Sequence, residues 1–191
     1  MRKWIAGLVV LTTALIAAVP PASASTICTG ELAPGTYHKL IVPEGALCGT
    51  EAGPVTIKGG LYVRAGATFV LGSEENPVHT GTIRGGVHAV NAMSVQIHFS
   101  TISGGVYING GSGPFGGPFE VTWNTIEDSR INGSVNYNNN TLVDPDGNEV
   151  QTNTIHGNLN CSGNDPAPQQ GDSEGSPNVV TGQKTGQCVG V

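Results

Sequence analysis

Charge is what this sequence has least of. Only 12% of its 191 residues are Asp, Glu, Lys or Arg, and 5% are aromatic, against about 25% charged in an ordinary soluble domain. Low charge beside 38% hydrophobic residues excludes an intrinsically disordered chain, which needs the opposite balance. No second apolar run follows the one at the start, so no membrane span is expected after it. Cys-x-x-Cys spacing is missing, which argues against a zinc site. A phosphate-cradling loop, a redox motif and a recognisable Ser–His–Asp arrangement are missing too. His38, His79, His88, His98 and His156 sit in unrelated contexts and read as surface residues.

Glycine is abundant instead. The 29 glycines are roughly double the usual share. They exclude a helical bundle, because glycine is unfavourable inside helices. They follow no strict triplet, which excludes collagen.

The first residues read as a leader. Arg2 and Lys3 precede an apolar run from Ile5 to Val19, and Pro20-Pro21 is followed by Ala22-Ser23-Ala24. This is the layout of a secretory signal peptide over 1–24, cut after Ala24. The run is short for a membrane anchor, which needs about 20 residues. A single domain over 25–191 is expected to be secreted, with 6 basic residues against 14 acidic ones once Arg2 and Lys3 are gone. A net charge of −8 disfavours nucleic acid and anionic membrane as partners. Four cysteines, Cys28, Cys48, Cys161 and Cys188, imply two disulfides with three connectivities. Two lie near each end of the domain, which favours the local pairs Cys28–Cys48 and Cys161–Cys188.

A repeat runs through the middle. Thr56-Ile57-Lys58-Gly59-Gly60-Leu61-Tyr62-Val63 aligns with Thr82-Ile83-Arg84-Gly85-Gly86-Val87-His88-Ala89 and with Thr101-Ile102-Ser103-Gly104-Gly105-Val106-Tyr107-Ile108. The frame continues at Ile131 to Tyr137 and Ile155 to Cys161, opens degenerately at Leu40-Ile41-Val42, and closes at Val180 to Lys184. The aliphatic anchors Leu40, Leu61, Val87, Val106, Val135 and Leu159 are 21, 26, 19, 29 and 24 residues apart, and glycine holds its slot in six of seven copies. Lys184 stands in the aliphatic slot of the last copy.

Alternating apolar slots mark strands with one buried face. One such strand every twenty-odd residues suits an all-β solenoid whose coils stack about 4.8 Å apart. The glycine slot suits a bend or a close backbone approach. Val95-Gln96-Ile97-His98-Phe99 and Phe119-Glu120-Val121-Thr122-Trp123 read as a second strand per coil. Asn124 and Asn153 are candidates for hydrogen-bonded ladders between coils. Coil lengths this irregular fit a right-handed parallel β-helix of about six coils better than a left-handed hexapeptide helix. A β-sandwich also has many short strands, but it leaves the in-frame recurrence unexplained.

The opening from Leu40 to Cys48, the Ile-x-Gly repeats and the ending Gly157-Asn158-Leu159-Asn160-Cys161 through Gly186-Gln187-Cys188 resemble the small secreted right-handed parallel β-helix proteins of actinobacteria. The resemblance covers nearly all of the domain. It implies the fold and disulfides that cap it, and brings no activity with it. The wider superfamily includes pectate lyases and polygalacturonases; the likeness there is one of fold, which does not transfer function.

Two outward columns follow from the repeat. One reads Lys58, Arg84, Ser103, Asn132, His156; its neighbour reads Ile41, Tyr62, His88, Tyr107, Asn136, Asn160. A row of rings at Tyr62, His88 and Tyr107 beside Lys58 and Arg84 suits an extended extracellular polysaccharide, since rings pack on sugar faces and arginine pairs with carboxylates. Tyrosine is also simply a good strand former. A third column is expected to carry Gln96, Glu120 and Glu149 with His98 nearby. Glu120 and Glu149 one coil apart would lie about 5 Å from each other, near the carboxylate separation of a retaining glycosidase. Two solvated acids, or a calcium shared between them, are the alternatives. Asp144-Pro145-Asp146-Gly147 is first a turn signal. The segment 162–177 reads as a flexible excursion, and Asn109 to Pro118 as a glycine-rich loop. No cofactor is expected. The composite expectation is an exported structural or surface protein contacting polysaccharide, with a β-helix polysaccharide lyase or glycosidase as the alternative.

Overall fold

A computed structural model of the chain describes residues 24–72, 76–78, 80–113, 123–170 and 175–191. The expected leader up to Ser23, His79, Glu120 and residues 119–122 of the expected strand lie outside the described residues.

Each coil contributes up to three short strands, and the strands stack into three parallel sheets. In chain order within a coil these are sheet I with seven strands, sheet II with eight and sheet III with five. The second coil is typical: Val55–Ile57 in sheet I, Leu61–Val63 in sheet II and Thr68–Leu71 in sheet III. Every pairing between coils is parallel and joins residues one turn apart, so the molecule is a parallel β-helix. In sheet II the register runs Leu40, Leu61, Val87, Val106, Val135, Leu159 and Lys184. The expected anchors are therefore one physical column, and the six turns between Leu40 and Lys184 rise about 29 Å.

The core lies inside the tube. The anchors from Leu40 to Leu159 are buried, as are Ile57, Ile83, Ile102, Ile131 and Ile155 from sheet I and Phe69, Val95, Ile97 and Ile126 from sheet III. Disulfides Cys28–Cys48 and Cys161–Cys188 close its two ends. Open solenoid ends expose strand edges and half a core, so the crosslinks sit where the stack has no neighbour.

The glycine slot is a close approach rather than a turn. A Cβ on Gly85, Gly104, Gly133 or Gly157 would come within 2.6 to 2.7 Å of backbone atoms of the glycine one coil below. The amides bond along the same line, Gly85 N to Gly59 O and Gly104 N to Gly85 O, each 3.0 Å. Left-handed conformations fall at other corners, on Gly66, Asn91, Gly110, Asn139 and Gly163 after sheet II, and on Phe99, Asp128 and Thr152 after sheet III.

Asparagine ladders form, in a different alignment from the one expected. Asn153 accepts from Ser129 N and donates to Asn178 Oδ1 and Ile126 O. Asn164 likewise accepts from Asn140 N and donates to Gln187 Oε1. Asn124 belongs to neither ladder: its register partner is Asn148, and its Oδ1 accepts from Val95 N. The sheet III strand described in the fourth coil is Asn124–Glu127. Residues 162–170 were expected to leave the fold. They instead lie on the coil beneath, with Asp165 N bonded to Asn140 O and Gln169 N to Asn148 O.

Candidate functional site

The outer face of sheet II carries the ring column. Strand alternation turns the residue after each anchor outward, and the register pairs Tyr62 with His88 and His88 with Tyr107. The His88 and Tyr107 rings are stacked at 5.1 Å with 13° between planes; Tyr62 and His88 are 6.2 Å apart and tilted by 53°. A shallow groove of about 360 Å³ runs beside them, lined by the three rings with Gly86, Gly105, Ser134 and Asn136. The second glycine of the corner lines that groove while packing on the next coil: a Cβ on Gly86 would meet Gly105 O at 2.7 Å and one on Gly105 would meet Ser134 O at 3.0 Å.

The cations over the column are not those expected. Lys39 Nζ stands 4.2 Å from the Tyr62 ring centre and the Arg64 guanidinium 6.0 Å from it. Lys58 and Arg84 are exposed in their own column with Ser103, Asn132 and His156, on the far side of the corner glycines. Lys39 lies one residue before the Leu40 anchor and Arg64 one after the Val63 slot, so outward alternation alone was the signal for both. Toward the C-terminus the face becomes neutral. Asn160 donates to Asn136 Oδ1 at 3.1 Å, and Thr185 to Asn160 Oδ1 at 2.8 Å.

Of the expected acid pair, the described residues include Glu149 alone. Thr125, not Glu120, is the residue between Gln96 and Glu149 in the register, and Glu120 lies outside the described residues. The Thr125 hydroxyl reaches Glu149 Oε2 at 3.4 Å. Sheet III holds a different polar group, one the sequence did not suggest. His98 Nδ1 bonds Glu127 Oε1, Gln151 Nε2 donates to Glu127 Oε2 at 2.9 Å, and His98 Nε2 lies 3.4 Å from Gln96 Oε1. All four residues are buried. A buried, fully hydrogen-bonded pair of this kind fixes register across three coils rather than offering an open reactive group. Burial, with help from Glu127, pushes the neighbouring Asp128 carboxyl above its ordinary value, and His98 opposes the shift. Burial and the Glu149 charge push the Tyr137 hydroxyl well above its ordinary value. That hydroxyl lies inside the tube, donating to Asn148 Oδ1 at 2.6 Å and contacting Asn124 O at 3.0 Å.

The segment from Asp144 forms the turn its sequence signals. Asp146 N bonds Asp144 Oδ1 and Gly147 N bonds Asp144 O, while Gln169 Nε2 donates to Asp146 Oδ1. Among the described residues no three His, Cys, Asp or Glu side chains converge as a metal site, and no helix is long and apolar enough to cross a membrane. Compared with protein-family models, curated proteins and solved structures, the chain matches none.

Proposed function

We propose that the chain is an exported structural or surface protein that contacts an extended polysaccharide through the outer face of sheet II. One observation carries the reading: three rings occupy consecutive rungs of one sheet, beside a shallow groove that they help to line. Ring faces pack against the C–H faces of sugars, while Ser134 and Asn136 along the trough supply donors and acceptors for hydroxyls. The leader-like 1–24 and the two disulfides support an oxidising destination outside the cytoplasm.

The test is retention on insoluble polysaccharides. The domain over 25–191 is incubated with cellulose, chitin, xylan and cell-wall preparations, alongside a Tyr62→Ala, Tyr107→Ala double variant. Both rings lie outside the core, so the variant is expected to keep the wild-type unfolding midpoint and to lose retention. Retention equal to wild type ends the proposal.

A further inference from the structure

The charges of this chain sort by face. From Ala24 onward its lysines and arginines are Lys39, Lys58, Arg64, Arg84, Arg130 and Lys184, and each lies in a strand of sheets I or II or directly beside one. No Asp or Glu occurs in any strand of those sheets, nor in the corner joining sheet I to sheet II on any coil. Described acids such as Glu44, Glu127, Asp144 and Glu149 lie in sheet III or in the corners and loops flanking it. Glu31 leads into the first coil, bridged to the sheet III strand at Gly49.

The distribution along the axis is also uneven. Lys39, Lys58, Arg64 and Arg84 all belong to the first three coils: Lys39 and Arg64 stand by the Tyr62 ring, and Lys58 and Arg84 lie in the column across the corner glycines. Among the described residues the ion pair within 4.0 Å is His98–Glu127, so these four cations have no carboxylate partner among the described residues. The Lys184 ammonium, by contrast, is engaged by Val191 O. Four cations flanking one end of the ring column, on a chain with formal net charge −6, repel one another until an anion joins them.

We propose that the ligand of this face is an acidic polysaccharide, a chain of sugar rings bearing carboxylates, lying along the coil axis. This rests on the polysaccharide reading above and names its chemical class. Carboxylates meet Lys39, Lys58, Arg64 and Arg84 on the first three coils, the arginines by two parallel hydrogen bonds and the lysines as point charges. The sugar rings stack on Tyr62, His88 and Tyr107. Past Tyr107 the chain runs over Asn136 and Asn160, where the face recognises hydroxyls. The axial direction follows from the rings themselves, which repeat along the axis at 6.2 and 5.1 Å.

The experiment compares two soluble polymers with one glucan backbone, carboxymethylcellulose and hydroxyethylcellulose, by affinity electrophoresis at low and high salt. The carboxylated polymer is expected to bind about tenfold more tightly at low salt, the advantage fading as screening shortens the reach of exposed charges. Lys58→Gln with Arg84→Gln is expected to weaken the carboxylated polymer about fivefold and to leave the neutral one unchanged. Equal binding of both polymers at every salt concentration overturns the acidic ligand and leaves the ring-column reading standing. Charged-polymer binding that is untouched by Lys58→Gln with Arg84→Gln and by the double tyrosine variant overturns both, as does binding of neither polymer. The salt series on the unmodified protein decides the matter even if a variant folds poorly.

Discussion

Replacing Gly104 by alanine isolates what the glycine column does. The new Cβ would stand 2.6 Å from Gly85 O, 2.7 Å from Gly85 C and 2.7 Å from Gly86 N. All three are backbone atoms, so no side chain can swing away. Ordinary contact begins at 3.4 Å, so the coils must part locally by about 0.8 Å, enough to carry the 3.0 Å bond from Gly104 N to Gly85 O out of hydrogen-bonding range. Overpacking of this kind costs about 1–3 kcal/mol, and each stretched backbone bond about 1 kcal/mol more. The sum, about 2–4 kcal/mol, is a large share of the roughly 5–15 kcal/mol that holds a typical domain together. Urea unfolding of three variants separates the causes. Gly30→Ala meets nothing within 4 Å and is expected to stay within about 0.5 kcal/mol of wild type. Gly45→Ala also has open space but sits at φ +67, so it should lose only the left-handed penalty, about 1–2 kcal/mol. Gly104→Ala should lose the most. A loss below about 1 kcal/mol at Gly104 refutes the steric account of the column.

Two further perturbations address the interior. Asn153→Leu removes the acceptor of Ser129 N and the donor to Ile126 O and Asn178 Oδ1; it should cost about 2–4 kcal/mol, with faster hydrogen exchange at the Ser129 amide. Unchanged exchange there would remove the ladder's role. Tyr137 concerns pH: its folded pKa lies above the ordinary value of 10.0, so its contribution is whole below that value and is lost as pH rises through the folded pKa. The urea midpoint should fall above about pH 10, and Tyr137→Phe should flatten that fall while lowering stability at neutral pH. A Phe variant as alkali-sensitive as wild type would place the sensitivity elsewhere.

What could be read from the sequence depended on which residues a coil repeats. Sheet II and its corner recur in frame, so Leu40 to Lys184, the glycine slot and the Tyr62–His88–Tyr107 column could be assigned without coordinates. Sheet III does not recur at a fixed distance. In the fourth coil, Phe119 to Trp123 alternates as well as any strand, and only pairing with Ser94–His98 selects Asn124–Glu127 instead. That shift moved Thr125 into the slot assigned to Glu120. The His98–Glu127 pair was hidden for a related reason: two polar residues 29 positions apart are neighbours only once that register is known. Lys39 and Arg64 were within reach, since each flanks a known anchor; Arg64 stands two residues from Tyr62 on the same rung, whereas Lys39 belongs to the rung before and is separated from that ring by a whole coil of sequence.

The corner between sheets I and II has the same three residues between Ile57 and Leu61 as between Ile83 and Val87, Ile102 and Val106, Ile131 and Val135, and Ile155 and Leu159. The stacked glycine backbones leave that path no slack. From the second coil on, the variation in coil length falls on the other two corners; the first coil has only His38 and Lys39 in this one. The tube is thus a fixed ruler along one edge and an open rack along the opposite side. Extra residues spliced after Asn109 or Asn138 should lengthen a loop without moving a rung. A single residue inserted at Gly85-Gly86 or Gly104-Gly105 would throw the tyrosine of its own coil out of line with its neighbours. Descendants of such a chain can therefore vary in what they display beside sheet III, while the ring spacing on sheet II stays the same.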